Sequence, residues 1–277
     1  MLTLTIDAHN IVPIMGQGNH TYLLIEGTAA VLIDAGTGLP AHLADVAAAL
    51  DRAGATLEQV IVTHGHGDHI SGAPAFAQAY PQARFRKIPW PGEDEKHAAP
   101  WEPLADGDRI HIGGTVLDVL HTPGHALDHA ALWHAPSRTM WTGDLVLPGA
   151  NVLIPQSRGG DLRQYLASLD RLEQAGPSRL LPAHGTEIVE VDRALRRHRE
   201  HKARREDQVV AALAAGRAAV PEITESIYHG LAPALVKAAH ENVRSHLEKL
   251  RQEQRAVETG GRWTLRPEPH VTGATSP

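Results

Sequence analysis

The chain has 277 residues, long for one ordinary domain, so a catalytic body with an appendage is the first expectation. It contains no cysteine, which excludes disulfides and thiolate metal sites and leaves any metal to His, Asp and Glu. The formal net charge of -6 divides unevenly: Lys and Arg number 11 against 21 Asp and Glu in residues 1–190, and 15 against 11 in residues 191–277, so a basic tail follows an acidic body.

Residues 1–7 alternate apolar and polar like a strand and lack the basic start and continuous apolar core of a signal peptide. No run of about 20 apolar residues occurs, so a soluble cytoplasmic protein with no membrane span is expected. Residues 21–25 and 30–33 are β-rich runs around the hairpin signal Glu26-Gly27-Thr28. Asp34 follows the second run and either supports a metal ligand or caps the loop. Residues 41–53 then show helical spacing in Leu43, Val46, Ala47 and Leu50.

The apolar run Val60, Ile61 and Val62 ends in Thr63-His64-Gly65-His66-Gly67-Asp68-His69, three imidazoles and a carboxylate in one loop. Neutral imidazole and carboxylate suit zinc or a similar first-row divalent ion. Residues 70–80 read as a short helix, which places the ligands where a strand gives way to a helix. Residues 88–106 read as a surface loop, with Trp90 and Trp101 among Pro89, Pro91, Pro100 and Pro103. Those aromatics either line a substrate mouth or pack the loop onto the body.

Strands at 108–112 and 115–120, joined by Gly113-Gly114, deliver His121-Thr122-Pro123-Gly124-His125 and then Asp128-His129. A strand pair at 130–133 and 139–141 ends in Thr142-Gly143-Asp144. A helix carrying Leu162, Leu166, Leu169 and Leu172 precedes Leu180-Leu181-Pro182-Ala183-His184-Gly185. An apolar run thus ends repeatedly in His or Asp, as when strand ends on one edge of a layered sheet gather a site from distant sequence.

The H-x-H-x-D-H loop, the T-P-G-H at His125, the T-G-D at Asp144 and the P-A-H-G at His184, in that order, resemble the metallo-β-lactamase superfamily of hydrolases over residues 10–190. The resemblance implies an αβ/βα sandwich with a dinuclear site at one edge. Carried over by position, His64, His66 and His125 hold one ion, Asp68, His69 and His184 hold the other, and Asp144 bridges them. Each set of three leaves a coordination position open to water. A water shared by ions roughly 3.5 to 4 Å apart becomes hydroxide near neutral pH, so no Ser or Cys nucleophile is required. Zn2+ is the expected ion, with Mn2+ and Fe2+ as alternatives.

Of the 19 histidines, His129 has three readings: an orienter of a ligand, a proton donor to the leaving group alongside catalytic Asp68, or a packed imidazole. His9, His20, His42, His97, His111, His121 and His134 read as surface or satisfied core. His20 and His97 reach the site only if their loops fold over it. A β-lactamase is disfavoured, because antibiotic-hydrolysing members generally lack the aspartate at Asp144 and many use a cysteine. Glyoxalase II-like enzymes, which cleave glutathione thioesters, share the ligand set but usually carry His where this loop has Gly65.

In the tail, residues 191–215 are helix-like, with basic Arg193, Arg196, Arg197, Arg199, Lys202, Arg204 and Arg205. Helices start at Val220-Pro221-Glu222 and at Pro233, the latter striped by Leu235, Ala239, Val243, Leu247 and Leu250. Residues 255–259 and 262–265 flank Gly260-Gly261 as a hairpin. Three helices and a hairpin form a winged-helix order, so residues 1–190 are expected as the catalytic domain and 191–277 as a winged-helix-like domain. With the helix at His240-Glu241-Asn242-Val243, this resembles the β-lactamase-like protein 2 (LACTB2-like) family, whose members are associated with hydrolysis of thioesters or of single-stranded RNA.

The expected function is therefore metal-dependent hydrolysis of an ester or thioester. Endoribonuclease action on single-stranded RNA is the alternative, and a non-catalytic metal-binding scaffold the remaining class. For RNA, Lys237, Arg244, Lys249 and Arg251 offer phosphate contacts, while the acidic body and Glu241, Glu248 and Glu253 oppose them. The winged helix otherwise serves packing or formation of a homodimer. For acyl substrates, an apolar groove is required.

Overall fold

The computed structural model describes residues 1–10 and 18–267, and the end of the tail assigned to the C-terminal domain, 268–277, lies outside them. The apolar runs at residues 22–25, 29–33 and 60–62 fit strands buried on both faces. The first sheet has the order β1 (Leu2–Asp7), β2 (His20–Glu26), β3 (Ala29–Ile33), β4 (Thr56–Ile61), β5 (Arg84–Lys87) and β6 (Trp101–Pro103). Pairing is antiparallel from β1 to β3 and parallel from β3 to β6. The second sheet comprises β7 (Arg109–Ile112), β8 (Thr115–His121), β9 (Ala130–His134), β10 (Thr139–Gly143) and β11 (Arg179–Pro182), antiparallel except for the β10–β11 pair.

Period-two alternation sends each strand's side chains into two different cores. Tyr22, Leu24, Val31, Ile33 and Ile61 pack between the sheets against Ile110, Leu117, Val119, Leu132 and Trp141. The alternate positions Leu23, Leu32, Val60 and Phe85 face outward, under α1 (Pro40–Ala53) and α3 (Ala73–Ala79), against Val46, Leu50 and Phe76. On the far side, Leu120, Met140 and Leu180 pack under α4 (Leu162–Ala175) and the start of α5 (Val191–Ala214), through Tyr165, Leu169, Leu172 and Leu195. The result is the helix–sheet–sheet–helix layering of an αβ/βα sandwich.

The tail follows the expected winged-helix order of α5, α6 (Val220–Ile227), α7 (Pro233–Gln252) and the β12–β13 hairpin (Ala256–Thr259, Arg262–Leu265). Its own core joins Val209 and Leu213 of α5 to Ile223, Val243, Leu247, Leu250 and Ala256. Helix α5 thus packs its first turns on the sandwich and its last turns in this smaller core. Among the described residues, no helix is long and apolar enough to cross a membrane.

Two local expectations need correction. The helix expected over 70–80 is two helices, α2 (Gly67–Ile70) and α3, broken at Ser71-Gly72. The chain there runs so close to the end of β3 that a Cβ on Gly72 would lie 2.0 Å from the Ala35 carbonyl oxygen, and Gly72 N–H donates to the Gly36 carbonyl at 2.9 Å. The loop expected over 88–106 contains β6, a three-residue edge strand paired to β5, where its flanking prolines cost no interior ladder bond.

Candidate metal centre

Each sequence-selected side chain sits just beyond a strand at one end of the sandwich. His64, His66, Asp68 and His69 follow β4, His125 lies between β8 and β9, Asp144 follows β10 and His184 follows β11. The structure brings them into three overlapping groups whose ligand atoms lie within 4.8 Å of one another: His64, His66 and His125; His64, His69 and Asp144; and Asp68, His69 and His184. His64, His69, His125 and His184 are buried, and His66 and Asp68 are partly exposed. Asp144 faces both sides: Oδ2 is 3.5 Å from His125 Nε2, while Oδ1 is 3.7 Å from His69 Nε2 and 3.4 Å from His184 Nε2.

The other nitrogen of several rings is fixed by an oxygen. His125 Nδ1 lies 2.7 Å from the Leu153 carbonyl and His184 Nδ1 3.1 Å from the Gly18 carbonyl, so each of these nitrogens carries a proton; burial keeps His125 neutral with its Nε2 bare, while His184 turns its Nε2 toward Asp68 and Asp144. His69 Nδ1 is 2.8 Å from Asp34 Oδ2, and Asp34 also accepts from Thr63 N–H at 2.7 Å and Thr63 Oγ1 at 2.9 Å. Asp34 thus orients His69 and closes the loop in the same geometry, holding a backbone φ of 64° to do so.

The donor atoms themselves point to a metal. Bare His125 Nε2 faces His66 Nδ1 at 2.8 Å, and His64 Nε2 faces the same nitrogen at 3.0 Å. One proton on His66 can bridge only one of these pairs well, and the other sets lone pair against lone pair. His69 Nε2 and Asp144 Oδ1 are buried without a hydrogen-bond partner. Bare nitrogens and carboxylate oxygens converging on one space fit divalent cations.

Protonation follows the same logic. Burial, followed by the charge of neighbouring His69, His66 and His125, holds His64 well below the ordinary imidazole value. Burial, His125 and Arg158 push His66 down to about 2, so both stay neutral, as ligands must. His69 goes the other way, to about 10: burial lowers it, but Asp34, Asp68 and Asp144 outweigh that effect. Three carboxylates around one imidazole mark an excess of negative charge that bound cations would neutralise.

His129 is fully buried. Its Nε2 lies 3.1 Å from Asp144 N–H, which only donates, so Nε2 accepts and Nδ1 gives its proton to Thr122 Oγ1 at 2.8 Å. Burial and then His125 and His69 hold it well below its ordinary value. With Nε2 accepting from the backbone at Asp144 and Nδ1 donating to Thr122, the ring has the geometry of the orienting reading.

The aromatics also divide. Trp101 packs against Phe85 with centroids 6.4 Å apart and donates its indole N–H to the His97 carbonyl at 3.0 Å, which fastens the edge strand and not the site. Trp90 lies against the metal loop, 3.2 Å from where a Cβ on Gly65 would be. His97 and His20 stay outside the ligand groups, and His42 is a buried core histidine bonded to Thr21 Oγ1 at 2.7 Å. Sequence reasoning missed a buried pair beneath the loop: Lys87 Nζ is 2.9 Å from Asp128 Oδ2, both side chains almost wholly buried. The D-H step at Asp128-His129 was the available signal for Asp128, while Lys87 reads like any strand lysine.

Similarity to known proteins agrees with this geometry. The family model for the metallo-beta-lactamase superfamily matches residues 15–184, and that for the beta-lactamase associated winged helix domain matches residues 219–263. An atrochrysone carboxyl ACP thioesterase of Aspergillus chevalieri is 31% identical, over 78% of this chain and 70% of its own. A beta-lactamase-like protein 2 homolog of Caenorhabditis elegans is 27% identical over 87% of this chain and 81% of its own. A beta-lactamase domain protein of Burkholderia ambifaria shares the fold, with a TM-score of 0.80, 22% identity, and coverage of 95% of this chain and 92% of that one. The chain therefore belongs to the metallo-β-lactamase superfamily of metal-dependent hydrolases, with that superfamily's associated winged-helix domain at its C-terminal end.

Proposed function

We propose that the chain hydrolyses an ester- or thioester-type bond at a dinuclear centre. His64, His66 and His125 would hold one ion, Asp68, His69 and His184 the other, and Asp144 both. The observation that carries this reading is Asp144, whose two carboxylate oxygens address different imidazoles on opposite sides. Zn2+ is the expected ion for this His and Asp set, and Mn2+ or Fe2+ are also compatible with it. Bound there, the ions supply an acidified water as nucleophile and Lewis acidity at the substrate carbonyl.

The chain's own contribution is positioning. Asp34 and the carbonyls of Leu153 and Gly18 set the imidazole planes, and His129 holds the backbone of Asp144. Asp68, with 23% of its side chain exposed against 13% for Asp144, is the site carboxylate most open to an incoming water. Asn19 Nδ2 anchors its backbone carbonyl at 2.6 Å. Trp90 shields the loop from one side.

The thioester reading is supported by the thioesterase name of the Aspergillus relative and by the fate of the tail cations. Lys249 pairs with Glu206 at 2.7 Å and Glu253 at 2.8 Å, Arg251 pairs with Glu248, and Arg244 lies 3.9 Å from Glu241. These pairs spend three of the four cations that an RNA-binding helix would need for phosphates. Purified protein assayed against acyl thioesters, lactones, a cephalosporin and single-stranded RNA tests the proposal. Thioester or ester turnover is expected, and cleavage of RNA alone would overturn it.

A further inference from the structure

The segment between Asp144 and α4 runs along the seam of the two domains and is fastened from both. Lys202 on α5, only 3% exposed, donates its Nζ to the Val152 carbonyl at 2.6 Å. The next carbonyl, Leu153, takes the His125 imidazole. Ser157 N–H donates to Glu241 Oε2 of α7 at 2.9 Å, and Asp161 N–H to the Gly124 carbonyl at 2.8 Å. A single 3-10 turn at Gln156–Arg158 is thus held rigid beside the metal loop.

That turn presents Arg158. Its side chain is exposed, and it has no ion-pair partner among the described residues. Across from it stands Trp90, whose backbone N–H is held by Asp94 Oδ2 at 2.7 Å. A Cβ on Gly159, the neighbour of Arg158, would lie 3.4 Å from the Trp90 ring and 3.7 Å from Leu127 Cβ, and a Cβ on Gly65 would lie 3.2 Å from the same ring. Trp90 therefore spans from the metal loop to the seam turn in space left by two glycines. Leu127 is 45% exposed at the same place. The surface beside the metal loop thus combines apolar groups with a guanidinium that has no ion-pair partner among the described residues.

We propose that Arg158 is a specificity-determining residue, and that the substrate is an acyl ester or thioester carrying an anionic group, carboxylate or phosphate, which Arg158 grips while the apolar part lies on Trp90 and Leu127. This rests on the hydrolase reading above. Guanidinium is suited to both oxyanions through paired N–H donors, and a fixed backbone confines the ordering cost of binding to the side chain.

The test uses the full-length, metal-loaded enzyme and three thioesters: butyryl-N-acetylcysteamine, which is neutral, succinyl-N-acetylcysteamine, with a carboxylate on the acyl part, and butyryl-coenzyme A, with phosphates on the carrier. At least one anionic thioester is expected to show a KM about tenfold below that of the neutral one. Arg158→Ala should collapse that ratio, Arg158→Lys should restore part of it, and Arg163→Ala, at an exposed arginine on α4, should keep it. Which anionic thioester gains identifies the carboxylate or the phosphate as the recognised group. Equal KM values across the three in the wild type, or an equal rise for all three in Arg158→Ala, would overturn the proposal. Turnover of RNA or cephalosporin with no thioester turned over would instead overturn the ester or thioester reading on which it rests.

Discussion

Asp34 shows how one residue outside the ligand set governs it. Its carboxylate takes the Thr63 backbone and hydroxyl and the His69 ring together, at a φ that few residues other than glycine adopt without cost. Asp34→Asn keeps the size but loses the charge and presents an amide that can turn the wrong way toward His69 Nδ1. Metal affinity is expected to fall by about 10- to 100-fold, read by competition with a chromophoric chelator, with the folded state retained. Unchanged affinity would mean that His69 orients itself without help. His129 is less legible from its place in the motif region: the two hydrogen bonds that give its ring the orienting geometry appear only in the fold. Buried charge is equally hidden from sequence, because Lys87 and Asp128 look like surface residues until the fold brings them together.

Helix α5 links the two cores, and part of its basic run turns inward: Lys202 is buried and Arg197, Arg199 and Arg205 are half-buried, while Arg193, Arg196 and Arg204 stay exposed. Arg197 donates to the Leu147 carbonyl at 3.1 Å and Lys202 to the Val152 carbonyl, so the basic run holds the segment that carries Leu153. Burial, with a smaller push from Arg205, lowers Lys202 from its ordinary value to about 7. A lowered amine means that the unfolded chain binds the extra proton between about pH 7 and the unfolded value near 10.5. Across that window stability should rise with pH, because the cost of burying an ammonium is present below about pH 7 and relieved above it. Relative to Lys202→Met, the wild type is expected to gain on the order of a few kcal/mol from pH 7 to pH 10, measured by denaturant midpoints. A constant gap would show that Lys202 stays charged throughout. Helix starts at Val220-Pro221 and Pro233 were legible because proline is pre-set for a first turn. The break at Ser71-Gly72 was not, since it depends on the approach of Ala35 from the loop after β3, and neither was β6, three residues long and bracketed by proline.

At the scale of the whole molecule, the sandwich exists to bring loops from both sheets to one end. Three hydrophobic layers bury both faces of each sheet and so fix which strand ends meet. Ligand order, motif spacing and the tail's winged-helix order could all be read from the chain, because each depends on local pattern. The seam could not, because Glu241 and Ser157 are 84 positions apart and nothing near either one announces the other. Helix α7 turns Glu241, Ser245 and His246 into buried surroundings, so the winged helix contributes a clamp on the catalytic segment. Its fixed position gives the seam turn, and with it Arg158, a defined stance toward the metal loop.

The central claim is that one carboxylate joins two ions in this cluster, and the direct measurement is metal per chain in purified wild type and Asp144→Ala, with thioesterase activity read on the same samples. About two ions are expected in the wild type. In Asp144→Ala at most about one is expected, with activity lost by a factor on the order of a thousand. A wild type holding about one ion or fewer, or an Asp144→Ala variant that keeps both its metal and its activity, would contradict it.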